Sequence, residues 1–290
     1  MTVMSTDPAS ASASASACTR SAATAGPAFL ETRVGHLKSR MGAAIIGSHA
    51  IFRGHDLHAE LGDMDWVELY LFGICGRRFT PQQIELLHGI LVYTSYPDAR
   101  IWNNRVAALA GSARSTPALA ISAALAVSEA CIYGGQPGVR AIDFFLRAGR
   151  AVTAGIPLET VVANEKRIYG YGRPTPELGD ERLPWLHKLA ERLGLAEGLH
   201  LRIALETERL LLKKNDRLRM NYAAMTAALG ADLGFSIEEF HMFRVPLFMA
   251  GMPPGYIEAR EQPEGSLFPV PCRDLAYQGV AQRAWPGRRA

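Results

Sequence analysis

A mainly α protein is what the sequence predicts, on three observations. Helix-start signatures stand at Thr80, at Ser115-Thr116 and at Ser236; segments with helical periodicity or strong helix formers fill the chain between them; nothing comparable reads as strand except short pieces near the ends. Trp66 to Ile74 is the first helical segment. Thr80 then offers a capping hydroxyl, Pro81 takes the first helical position, and Gln83 completes a capping box, with Ile84, Leu87, Ile90 and Leu91 on one face. Ile101 to Ala110 follows, and Ser115-Thr116-Pro117 opens an Ala/Leu-rich stretch, Ala118 to Ala130, whose small side chains predict close packing and deep burial. Val139 to Arg150, Leu158 to Asn164, Asp180 to Leu193, Leu199 to Lys213 and Met220 to Gly230 continue the pattern. Ser236 to Glu239 is a further capping box, and the helix it opens is expected to end at Pro253-Pro254. Glycine and proline mark the joints at 134–138, 155–157 and 170–174.

At 290 residues, 48% of them hydrophobic, the chain is long enough to bury a large core in one or two domains. Its 31 basic and 28 acidic side chains leave a net charge of +3, too balanced for a nucleic-acid-binding field but compatible with an anionic small molecule. Cys18, Cys75, Cys131 and Cys272 form no CxxC pair, which argues against a disulfide framework or a zinc site and for a cytoplasmic protein. His55 and His58 have the spacing of two ligands on one helical face but no evident third, so no metal is expected. Neither Gly170-x-Gly172 nor Gly134-Gly135 completes a GxGxxG or a lysine-bearing phosphate loop, and a dinucleotide cofactor is not expected. Lys213, Lys214, Arg217 and Arg219 either neutralise a phosphate or solvate a helix end. The methionines at 220, 225, 242, 249 and 252 read as core filler. Residues 1–27, an Ala/Ser tract without a large apolar side chain after Met4, read as a disordered leader, and no later apolar run approaches the roughly 20 residues of a membrane span.

Several landmarks follow one another in a telling order. Ile168-Tyr-Gly-Tyr-Gly-Arg-Pro174 resembles the glycine-framed histidine loop of the citrate synthase family, with arginine in place of the histidine. Cys131-Ile-Tyr-Gly-Gly135 resembles that family's Leu-His-Gly-Gly turn, and Arg219-Met-Asn-Tyr222 its Asn-Val-Asp segment. The stretch from Ile51 to Leu61 is similar to an early I-x-R-G-Y-x-I-x-E-L segment, and Asn104 to Ala107 and Pro271 to Gly279 fall in family order. In length the chain looks more like citryl-CoA lyases and the lyase module of ATP citrate lyase than like full-length citrate synthases.

The resemblance implies a mainly α homodimer with an acyl-CoA in a cleft between domains. The larger would comprise residues 28–137 and 233–290, the smaller 138–232. It also implies a CoA thioester as substrate beside a small carboxylate and no tightly bound cofactor; the charge balance and the short apolar runs already argue against a nucleic-acid or membrane partner. The family's two histidines and aspartate correspond here to Tyr133, Arg173 and Asn221, the candidate catalytic residues. An amide has no useful basicity near neutral pH, so Asn221 cannot take a carbon-bound proton. Arg173 is a permanent cation that stabilises an enolate, a carboxylate or a phosphate, and Tyr133 donates a hydrogen bond. Such a set suits an enolate made by losing carbon dioxide or by breaking a carbon–carbon bond, or an acyl transfer. Deprotonation of acetyl-CoA should fail. Arg105, Tyr96, Gly134, Gly172 and Arg273 are the candidate substrate-binding residues. The family's carboxylate-gripping arginine has no counterpart around Phe248 to Pro254, where Ala250 is nearest. The alternative is an inactive relative serving as a regulatory or interaction subunit. Taken singly, Tyr133 reads as a packed aromatic, Arg173 as a loop charge and Asn221 as a solvent-facing amide inside a helix.

Overall fold

Helices dominate the computed structural model, which describes residues 38–132, 134–173, 179–267 and 272–285. Within them stand eleven α-helices, in keeping with the mainly α expectation, and one small antiparallel sheet. Contacts divide the chain into two units, one up to Met64 and one from Asp65 onward.

The first unit contains the sheet, ordered β1-β2-β3. β1 (Gly42–Ile45) pairs with β2 (His49–Phe52), Gly42 facing Phe52 and Ile45 facing His49. Arg53 and Gly54, both with positive φ, turn the chain into β3 (His55–Asp56), the geometry a tight hairpin requires. The helical face supposed for His55 and His58 is not formed. His55 lies in the strand with its Nδ1 2.9 Å from Glu60, while the Asp56 carboxylate accepts from the His58 and Ala59 amides.

The second unit is a helical body. α1 (Trp66–Cys75) is capped by Asp65, and α2 (Pro81–Tyr93) has the Thr80/Gln83 capping box that its sequence specifies. α3 (Trp102–Ser112), α4 (Pro117–Ser128), α5 (Gln136–Thr153), α6 (Leu158–Asn164), α7 (Leu183–Arg192), α8 (Leu199–Leu212) and α9 (Tyr222–Asp232) follow. α5 and α8 both pack on α9, and Leu86, Ile90, Ile142, Phe145, Leu201, Met225 and Phe243 belong to one continuous core cluster. A smaller cluster joins Ala107, Ala120, Ala124, Met252 and Tyr256.

Three expectations are corrected. α10 (Ile237–Arg244) does not reach Pro253-Pro254; these prolines occupy the first positions of α11 (Met252–Glu261), where a missing N–H breaks no intrahelical bond. α4 is not deeply buried: only Ala120, Ala124 and Ser128 are fully covered, Ile121 and Leu125 are partly so, and Leu119 is 64% exposed. Met220, Met225 and Met252 fill core, whereas Met242 is exposed. Among the described residues no helix is long and apolar enough to cross a membrane.

Candidate functional site

The glycine loop and the start of α9 are built as one piece. Tyr171 and Met220 form an antiparallel bridge, the Gly172 amide donates to the Arg219 carbonyl at 2.7 Å, and the Asn221 amide donates to Gly170 at 2.9 Å. Gly170 has φ +94°, and a Cβ there would lie 2.5 Å from the Ala224 side chain, so both conformation and space demand glycine. Asn221 is not inside the helix but is its N-cap. Its Oδ1 accepts from the Ala223 amide at 3.0 Å and its Nδ2 donates to the Gly172 carbonyl at 2.9 Å. Both ends of this amide therefore fasten the loop to the helix.

Charge gathers on the other side of Gly172. The Arg173 guanidinium donates to Glu181 at 2.9 Å and to the Gly179 carbonyl, and stands 3.9 Å from Asp180. Asp180 is the anchor: its buried carboxylate takes two nitrogens of Arg182, each at 2.8 Å, and the Tyr222 amide at 2.9 Å. Burial alone would raise the Asp180 carboxyl, but the Arg182 fork, its charge and the Tyr222 amide hold it below the usual range. Arg182 lies over the ring of Tyr222, at 4.4 Å, and near that of Tyr96, at 5.5 Å. The Tyr96 hydroxyl donates to Glu181 at 2.9 Å. Burial, and then Glu181, push its pKa up to about 12, so it remains a donor at neutral pH.

The turn before α5 is equally close-built. The Gly135 amide donates to Ser128 at 2.6 Å, and a Cβ at Gly134 would collide with the Ser128 and Ala130 backbone. Glu129 leans over this turn, held by Gln136 and His241, each at 2.9 Å. Tyr133 lies outside the described residues.

Tyr96, Gly172, Arg173 and Asn221 are thus linked through shared partners. Arg105 and Arg273 are exposed, and no hydrogen bond or ion pair joins either to that group among the described residues. A cavity of about 550 Å³ lies elsewhere, against Asp65, Arg78, Phe79 and His88, and contains none of the expected site residues. Motif reading missed Asp180, Glu181, Arg182 and Tyr222, although an acid-acid-base triplet directly after a glycine loop was visible. Chemically the group is rich in donors: Asp180 and Glu181 each already bind a guanidinium, so neither is a free base.

A helical body in which a glycine loop carries an arginine against an asparagine-capped helix defines a recognisable class. The family model described as citrate synthase, C-terminal domain, matches residues 1–259. The chain belongs to that family. Its fold is similar to the citryl-CoA lyase of Hydrogenobacter thermophilus, with TM-score 0.74, 19% identity, and 86% of this chain and 97% of that one covered. ATP citrate lyase of Methanothrix soehngenii, solved with citrate and coenzyme A, gives TM-score 0.71 at 16% identity, covering 97% of this chain but 47% of its own. Citrate synthase of Thermoplasma acidophilum, solved with carboxymethyl coenzyme A and oxaloacetate, gives 0.56 at 18% identity, covering 77% of this chain and 59% of its own. No curated protein matches the sequence significantly.

Proposed function

We propose that this chain acts on an acyl-CoA, breaking or forming a bond at the acyl end without deprotonating the acyl methyl. One observation supports this reading above the others. The Tyr171 to Met220 bridge seats Arg173 beside Asn221, while both neighbouring carboxylates are already engaged by arginine. When carbon dioxide leaves an acyl group, or a carbon–carbon bond breaks, the electron pair moves onto the thioester oxygen. Donors serve there and a base on the methyl is not needed. In this reading Arg173 and Tyr133 are the donors, Asn221 holds the loop, and Tyr96 and Arg182 shape the pocket. The CoA thioester is a substrate, with no tightly bound cofactor. The exposed basic turn from Lys213 to Arg219 runs beside Gly172 and supplies positive charge for CoA phosphates. Residues 138–232 would form the smaller domain of a cytoplasmic homodimer, with Gly134 lining the pocket and Arg105 and Arg273 meeting the substrate on closure.

A second reading, an inactive relative in a regulatory role, is favoured by the full engagement of the Asn221 amide. Mass spectrometry of acetyl-CoA, malonyl-CoA and citryl-CoA incubated with the protein separates the two. The enzyme reading expects malonyl-CoA or citryl-CoA to be consumed, acetyl-CoA to survive, and Arg173→Met to slow turnover by about a hundredfold. Inertness toward all three, with no rise in Tm on adding CoA, supports the second reading.

A further inference from the structure

Arg244 ends α10 on its inward face, one turn after the buried Phe240, whose ring lies 5.5 Å from the guanidinium. The residue is 6% exposed, yet its Nε has no hydrogen-bond partner, and no carboxylate stands within ion-pair distance among the described residues. Burial draws its pKa down to about 10, which still leaves a cation at neutral pH. Glu129, the carboxylate whose charge acts on it, is committed to Gln136 and His241.

The guanidinium is aimed at the start of α5. A Cβ on Gly138 would stand 2.5 Å from Nη1 and 2.9 Å from Nε, so the absence of a side chain at that position makes room for Arg244. α5 runs for 18 residues from Gly135, which has no capping side chain; Pro137 carries no N–H and the Gly138 amide donates to the Gly135 carbonyl at 3.1 Å, so the amide its first turn offers is that of Gln136. Two positive features therefore meet: the N-terminal end of a long helix and a buried, unpaired guanidinium. A buried cation without a partner destabilises a fold that gains nothing else from it. Tyr222 and Arg182 lie within electrostatic reach of the same guanidinium.

We infer that Arg244 and the first turn of α5 form a receptor for a carboxylate of a small-molecule substrate. The planar fork of an arginine matches a carboxylate better than a point charge does. This supplies a carboxylate grip that the stretch from Phe248 to Pro254 lacks. Naming the occupant as the acyl chain or co-substrate rests on the acyl-CoA reading; the receptor itself does not.

Calorimetric titration of the full chain with succinate, and with succinamide as the uncharged control, tests it beside a parallel titration with CoA. Succinate should bind wild type and succinamide should not. Arg244→Met should weaken succinate by about tenfold to a hundredfold, leave CoA binding unchanged, and keep or raise the Tm without ligand. Arg244→Lys should recover part of the affinity. Equal succinate affinity in wild type and Arg244→Met, no succinate binding to wild type, or a lower Tm for both variants would overturn the receptor. Intact succinate binding without CoA binding would uphold it and remove the acyl-CoA reading instead.

Discussion

Asp180 accepts from two nitrogens of Arg182 and from the Tyr222 amide, and Arg173 stands just beyond ordinary bonding distance. Asp180→Asn would leave Arg182 buried opposite a neutral amide, and breaking a buried pair this way costs about 3–5 kcal/mol, measurable by urea unfolding. The sign with pH follows from the lowered carboxyl. The ionised form contributes stability above the unfolded-state value of about 4, and that contribution disappears as acid titrates through the lower folded value. Stability from this anchor should therefore be flat from neutral pH down to about 5 and fall below 4. Asp180→Asn should flatten the acid limb. Arg173 was legible because glycines frame it in sequence. Asp180 was not, since one of its partners lies 42 residues away and only the fold brings the Tyr222 amide to it.

α4 is mostly apolar, yet only Ala120, Ala124 and Ser128 are fully buried, with Ile121 and Leu125 partly so, leaving Leu119 and Val127 exposed. The helix it packs with, α11, likewise exposes Ile257. A helix without a polar face needs a covering, and a second copy of the chain is the proposed one. Leu119→Glu is expected to convert a dimer into a monomer by light scattering while the circular dichroism of the helices persists. A monomeric wild type would contradict this. Helix starts were readable because a capping box is local chemistry: Thr80 with Gln83, and Ser236 with Glu239, each satisfy orphan amides within one turn. The two prolines at 253–254 were misread because proline ends one helix and begins another with equal ease. The burial of α4 was misread because composition does not reveal which neighbour covers an apolar face. Arg244 carried a signal that went unused, a charge four residues after Phe240 on an otherwise inward stripe.

On the scale of the whole molecule, family membership agrees with the helical architecture, and the arginine and asparagine of the glycine loop and helix cap are the ground on which a chemistry apart from the family's is proposed. Order of landmarks along the chain made the family legible at a level that no single motif reached. What sequence could not supply was the pairing of Asp180 and Glu181 with arginines, because ion pairs form in space. The central claim is that the pocket stabilises negative charge but contains no base able to remove a carbon-bound proton. Proton NMR of acetyl-CoA with the protein in deuterated water measures it directly. Saturation transfer from the protein to the ligand, with the methyl signal undiminished over hours, is the predicted result. Steady deuterium washout of that methyl, or the absence of any saturation transfer, would contradict it.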